Sequence, residues 1–161
     1  CTLNNFCSAV NSIEQIRKWS HGKWIAENRR NDDVDILSID SRSIEQPDQT
    51  LFVALKTHLR DGHNFIYDAW EKGVRNFLVS HDSEDTRLIG TNTILVGDTL
   101  TALQQIATAH RKQFDYPVIG VTGSNGKTIV KEWLYQLLGN HYNVVRSPKS
   151  YNSQVGVPLS V

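Results

Sequence analysis

The chain reads as an α/β protein with substantial parallel pairing in its sheet, followed by the opening of a phosphate-loop unit. Three observations carry that expectation. Short apolar strands alternate with amphipathic helical stretches along most of the 161 residues. Leu51-Phe52-Val53-Ala54-Leu55 is an unbroken apolar run, as a strand buried on both faces requires. Finally, the apolar segment 118–122 passes through Gly123-Ser124-Asn125-Gly126 into Lys127-Thr128 and a helical pattern.

In chain order, Ser12-Ile13-Glu14-Gln15 has the form of a capping box, with the Ser12 hydroxyl and Gln15 side chain serving the first helical N–H groups. Ile13 and Ile16 share a face, so a short helix is expected to about Trp19. Residues 20–33 are polar and mixed in charge and are expected as a solvated loop. Residues 34–39 alternate weakly and read as a strand ending at Asp40-Ser41-Arg42. Pro47-Asp48 marks a turn before the strand 51–55, and Asp61-Gly62-His63 marks another after it. Phe65, Ile66, Ala69 and Trp70 form a helical stripe ended by Gly73. Residues 77–79 and 94–96 are two further strands. Asp98 suits the N-cap of a helix carrying Leu100, Leu103, Ile106, Ala107 and His110.

Tyr116-Pro117 breaks that helical pattern, and a domain boundary is expected near residue 115. Residues 1–115 then close their own core, and 116–161 begin a second unit: strand 118–122, glycine loop, helix from Lys127 to about Leu138, strand 142–146, and a polar loop. One strand–helix–strand does not bury a sheet, so this second unit reads as incomplete. Its uncovered apolar faces make self-association through 117–161 an expectation.

Charge narrows the function classes. Lys+Arg and Asp+Glu balance at 17 each, so no overall field draws nucleic acid or an acidic membrane, and any anion site has to be local. No apolar run reaches the ~20 residues of a bilayer span and no leader pattern opens the chain, so no membrane insertion and a cytoplasmic location are expected. Cys1 and Cys7 are expected as free thiols. The absence of methionine suggests a processed or excised piece. His21, His58, His81 and His141 show no metal-ligand spacing, and His110 reads as a packed or surface histidine.

The glycine loop carries the chemistry. Backbone N–H groups over Gly123, Ser124, Asn125 and Gly126, at a helix N-terminus, favour an anion. Lys127 adds a full positive charge for β/γ oxygens, and the Thr128 hydroxyl suits a Mg²⁺ shell. A nucleoside triphosphate with Mg²⁺ is therefore the expected ligand. The general phosphate loop, G-x-x-x-x-G-K-[ST], is not matched throughout: Val121 stands five residues before Gly126, and glycines fall at 120 and 123. A plain glycine turn with a surface lysine is the alternative.

Val-Thr-Gly-Ser-Asn-Gly-Lys-Thr (121–128), followed by Tyr151-Asn152-Ser153-Gln154-Val155-Gly156-Val157-Pro158-Leu159, resembles the ATP-binding segment of the Mur ligases. That family spaces its glycines as G-x-x-G-x-x-G-K-[ST], which accounts for Gly120, Gly123 and Gly126. Asp40-Ser41-Arg42, Leu51 to Leu55 and Asp61-Gly62-His63-Asn64-Phe65-Ile66 resemble the family's uridine-nucleotide domain. The likeness spans nearly all of 34–161 and is weakest over the first 33 residues. Within the family the chain most resembles the branch that adds D-alanyl-D-alanine to UDP-N-acetylmuramoyl-tripeptide, and segments 130–134 and 152–159 are also similar to its form fused ahead of a PLP-dependent alanine racemase. The coding sequence past Val161 decides that fusion. Two positions depart from the pattern: Thr57 replaces a turn glycine, and Ser153 replaces the second residue of an Asn-Asn pair.

The resemblance implies an amide ligase in peptidoglycan synthesis. MgATP phosphorylates the tripeptide carboxylate to an acyl phosphate, which the amine of D-alanyl-D-alanine attacks. Lys127 then acts as the catalytic charge and Thr128 as the metal-side hydroxyl. Ser41 and Asn64 offer donors and acceptors to a base or diphosphate, Arg42 and His63 offer charge to phosphate, and Asn152 and Ser153 lie on a companion loop near the substrates. From the residues alone, Asp40 and Ser41 serve equally as a turn, and His63 or Asn64 as caps of the following helix. Lys131 and Glu132 are expected to face solvent or pair locally. The remaining groups of such a ligase lie downstream in the family, so the 161 residues alone are expected to be inactive. The alternatives are a sister amide ligase with another amino-acid substrate and a nucleotide-binding module without ligase activity.

Overall fold

Thr50–Val53 is buried at every position, which is possible only for a strand with neighbours on both sides and cover on both faces. In a computed structural model, which describes residues 11–28, 31–57, 60–147, 151 and 153–160, it lies within a five-stranded sheet. In chain order the strands are β1 (Asn11–Ser12), β2 (Lys23–Ala26), β3 (Asp33–Val34), β4 (Ile36–Ser38), β5 (Thr50–Val53), β6 (Asn76–Val79) and β7 (Asn92–Leu95). The helices are α1 (Ile13–Trp19), α2 (Ile66–Glu71), α3 (Thr99–Arg111) and α4 (Lys127–Leu138). The chain divides into two compact units, residues 1–106 and 107–161, with the division inside α3.

In the first unit the sheet order is β2-β7-β6-β5-β4. β4 through β7 are parallel, as the apolar runs predict, and sequential strands are neighbours. Phe52 and Phe77 stand opposite each other in register and their rings meet edge-on, with centroids 6.2 Å apart. Ala54, Ile66, Ala69, Val74 and Val79 complete that cluster. Full burial of each large apolar side chain contributes about 1.5–3 kcal/mol.

Several sequence signals hold at the level of single atoms. Ser12 caps α1 by accepting the Gln15 amide, and Asp98 accepts the Thr101 amide at 2.7 Å at the start of α3. The Thr99 hydroxyl donates to the Ala54 carbonyl, fixing α3 to the end of β5. At the opposite end of the strands, buried Asn92 donates to Asn76 at 2.8 Å and accepts the Asn28 amide at 2.9 Å.

Two expectations are corrected. The stretch 20–33, expected as a loop, contains β2, which pairs antiparallel with β7 through a bulge at Trp24–Ala26. An edge strand half-exposed along its length has no apolar run to announce it. In the second unit, the strands expected at 118–122 and 142–146 are absent: neither segment joins a ladder among the described residues. A strand exists only by pairing, and here Val118, Ile119 and Val145 face solvent.

α4 forms as its sequence predicts and is followed by Gly139. Segment 142–147 is held to it by the Lys131 ammonium on the Ser147 carbonyl at 2.9 Å and by an Arg146–Glu132 ion pair. Arg146 also lies over the Tyr135 ring, 4.3 Å from its centroid. Lys131 and Glu132 thus pair locally. None of the residues of α4 is buried, and Ile129, Trp133 and Leu137 form an exposed apolar stripe at i, i+4 and i+8.

Candidate functional site

Gly123 and Gly126 both take positive φ, +140° and +78°, a region that L side chains rarely occupy. Gly126 is the N-cap of α4, and its carbonyl accepts the first helical bond, from Val130, at 2.9 Å. A Cβ at Gly126 would meet nothing within 4 Å, so the demand for glycine is conformational and the space above the turn is open. The N–H groups of the first helical turn have no acceptor inside the helix and point out along its axis. The Lys127 ammonium bends back over the loop, donating to the Gly123 carbonyl at 2.6 Å and the Ser124 carbonyl at 3.4 Å. Exposed backbone, an open turn and a cation held over it fit a polyphosphate. Thr128, at the second helical position, is exposed at the same end.

Ser41, Arg42, His63 and Asn64 lie in the first unit, at the carboxyl edge of the parallel strands, where open α/β sheets bind ligands. Beyond β4, Asp40 takes three hydrogen bonds from Arg42: the backbone amide at 3.0 Å, Nε at 2.9 Å and a terminal nitrogen at 2.7 Å. That guanidinium holds the Asp40 carboxyl well below the usual carboxylate range. Arg42 is otherwise exposed, whereas Ser41 is buried in the turn. The Lys72 ammonium, after α2, donates to the Ser41 carbonyl at 2.7 Å.

Beyond β5, Gly62 donates to the Leu55 carbonyl at 2.7 Å and brings His63 under the next strand end. His63 is 7% exposed. Its Nδ1 lies 2.6 Å from the Asp61 carboxylate, and its Nε2 accepts the Ser80 amide at 3.0 Å, just past β6. With Nε2 an acceptor, the proton sits on Nδ1 and the ring is neutral. Burial pushes the His63 pKa below its ordinary value, against the pull of Asp61. The His81 ring stacks on it, centroids 3.9 Å apart. Asn64 is exposed on the same turn. Thr57, in place of the turn glycine, closes its turn with a hydroxyl that donates to the Arg60 carbonyl and accepts the Arg60 amide.

In the second unit, Ser153 accepts the Gly156 amide on its hydroxyl at 2.9 Å and so serves a local turn; Asn152 lies outside the described residues. Sequence reasoning passed over Lys72 and Ser80 and weighed His81 only as a metal ligand. Ser80 and His81 follow directly on a buried strand, so the strand-end rule was the signal available for them. For Lys72 the sequence offered none.

The Mur ligase middle domain matches residues 121–161, which begin just before the glycine loop and include all of it. The UDP-N-acetylmuramoyl-tripeptide–D-alanyl-D-alanine ligase of Bacillus subtilis is 41% identical over 129 residues, covering 78% of this chain and 27% of that protein. Residues 121–161 thus match the Mur ligase middle domain, and most of the chain is similar to Mur ligases. Among solved Mur ligase structures, MurF from Acinetobacter baumannii superposes with a TM-score of 0.81 at 26% identity, over 96% of this chain and 34% of that one. MurF ligase from Thermotoga maritima, solved in complex with ADP, gives a TM-score of 0.66 at 32% identity over 78% of this chain and 28% of its own. The chain therefore spans about a third or less of the length of the Mur ligases it matches.

Proposed function

We propose that this chain supplies the precursor-binding and phosphate-binding parts of an ATP-dependent ligase, one that joins D-alanyl-D-alanine to UDP-N-acetylmuramoyl-tripeptide in peptidoglycan synthesis. The observation that carries the reading is the loop 123–128, with two left-handed glycines, a helix N-terminus and the Lys127 ammonium over them. In this reading residues 1–115 bind the UDP precursor, and 116–161 open the ATP-binding domain. When bound, ATP supplies the phosphoryl group that activates the carboxylate. The backbone of Gly123, Ser124, Asn125 and Gly126 holds the phosphates, Lys127 exchanges its carbonyl partners for phosphate oxygens, and the Thr128 hydroxyl joins Mg²⁺. Ser41, Arg42 and Asn64 face the precursor, and Asn152 and Ser153 the companion side. Cytoplasmic residence belongs to the same proposal, because ATP and the UDP-linked precursor are both nucleotides held inside the cell. Among the described residues no helix is long and apolar enough to cross a membrane.

Calorimetry with MgATP and, separately, with UDP-N-acetylmuramoyl-tripeptide tests both halves. The expected result is binding of each, with no amide formed by the 161 residues alone when D-alanyl-D-alanine is added. Binding of ATP without the precursor would favour a nucleotide-binding module. Turnover by the longer protein with a single amino acid instead of the dipeptide would favour a sister ligase.

The exposed stripe of Ile129, Trp133 and Leu137 supports self-association of the isolated chain. Sedimentation velocity should show a concentration-dependent species above the monomer. A single monomer boundary at every concentration would sink that idea.

A further inference from the structure

The geometry points to His63 as a positioning residue, a neutral latch that ties the turn after β5 to the loop after β6 and so sets the precursor-binding edge of the sheet. The inference rests on the proposal that this edge takes the UDP precursor. It replaces the expectation that the ring meets phosphate charge with a different role.

Both ring nitrogens are committed within the fold. Nδ1 serves Asp61 on its own turn, 2.6 Å away, and Nε2 receives the Ser80 amide from the neighbouring strand end at 3.0 Å. The same Asp61 oxygen also accepts the His63 backbone amide at 3.0 Å, so the carboxylate fixes the ring's position along the turn as well as its tautomer. The Ser80 hydroxyl lies 3.4 Å from Nε2. A buried ring with one donor partner and one acceptor partner has no lone pair or proton left for a ligand. It can still place its neighbours. Asn64 follows it on the exposed side of the turn, and His81, stacked on its face, follows Ser80.

The latch depends on Nε2 being unprotonated, so acid should open it. The titratable groups facing the ring are Asp61 on its own turn, Lys56 bridging to Asp61 at 3.5 Å, and His81 from the β6 side. Asp61 favours a proton on the ring, while burial, His81 and Lys56 oppose it, with burial the largest. Because the folded state holds the ring neutral, its contribution is whole above the ordinary imidazole value of about 6.5 and is lost as pH falls through the lower, folded value.

The test uses three chains: native, His63→Phe and His63→Gln. Gln keeps an acceptor that reaches Ser80, whereas Phe keeps only the ring shape. Amide hydrogen exchange at Ser80 is expected to be protected in the native chain and His63→Gln and to lose protection in His63→Phe. Precursor affinity is expected to fall ~10-fold in His63→Phe and to stay within ~3-fold in His63→Gln, with ATP affinity unchanged in both. The native affinity should also decline as pH falls through the folded His63 value, which lies below the ordinary imidazole value of about 6.5, and that decline should vanish in His63→Phe. Native-like Ser80 protection in His63→Phe overturns the latch, as does equal precursor loss in the two variants. If the native chain binds no precursor while Ser80 protection follows the pattern above, the latch stands and the assignment of this edge to the precursor falls.

Discussion

Lys127→Ala should lower ATP affinity ~100-fold, about 2.7 kcal/mol, while leaving the thermal melt of the chain unchanged. The affinity loss is large because a full charge is removed from a loop whose other proposed phosphate contacts are neutral backbone groups. The melt is spared because, among the described residues, the Lys127 ammonium bonds to the Gly123 and Ser124 carbonyls, which remain exposed to water when it is gone. Lys127→Arg should recover only part of the affinity: it restores the charge, but as a planar fork in place of a compact ammonium. Calorimetry with MgATP decides the matter, and equal affinities for native and alanine chains would remove Lys127 from the phosphate site.

Gly62→Ala should destabilise the first unit by about 3 kcal/mol, the upper range for an added methyl in a closed space. The cause is steric. An alanine Cβ would lie 2.7 Å from the Leu55 nitrogen, 2.8 Å from the Leu55 carbonyl oxygen and 2.9 Å from the Ala54 carbonyl carbon. All three are backbone atoms at the exit of β5, so no side chain can swing aside. The hydrogen bond from Gly62 to the Leu55 carbonyl would stretch, and with it the turn that delivers Asp61 and His63. Urea unfolding followed by circular dichroism measures this. A midpoint equal to the native chain's would show that the turn has slack that its geometry does not suggest.

What could be read ahead of the structure was whatever is decided locally. The Ser12 cap, the Asp98 cap and the apolar strands β5, β6 and β7 depend on residues a few positions apart, and each formed as expected. The glycine spacing placed the loop at the head of α4 for the same reason. Features decided by distant partners were hidden. β2 owes its existence to β7, and the extended segments 118–122 and 142–146 lack the neighbours that would make them strands. The role of His63 was equally hidden: the motif identified the residue, but the Ser80 amide that claims its second nitrogen lies 17 positions away.

The position of β2 in the sheet also sets an order of entropic costs. Ile36 pairs with Thr50, Leu51 with Asn76 and Asn76 with Asn92, so each of these ladders closes a short loop of chain. Trp24 pairs with Ile94, across a far longer loop. Closing it costs about 1 kcal/mol more in chain entropy than closing the β6–β7 loop. The strand that bears this cost is also the one buried least, on the sheet's outer margin. Its attachment therefore rests on few side-chain contacts, and the Asn28 amide clasped by the buried Asn92 side chain acts as a pin where the ladder alone is weak.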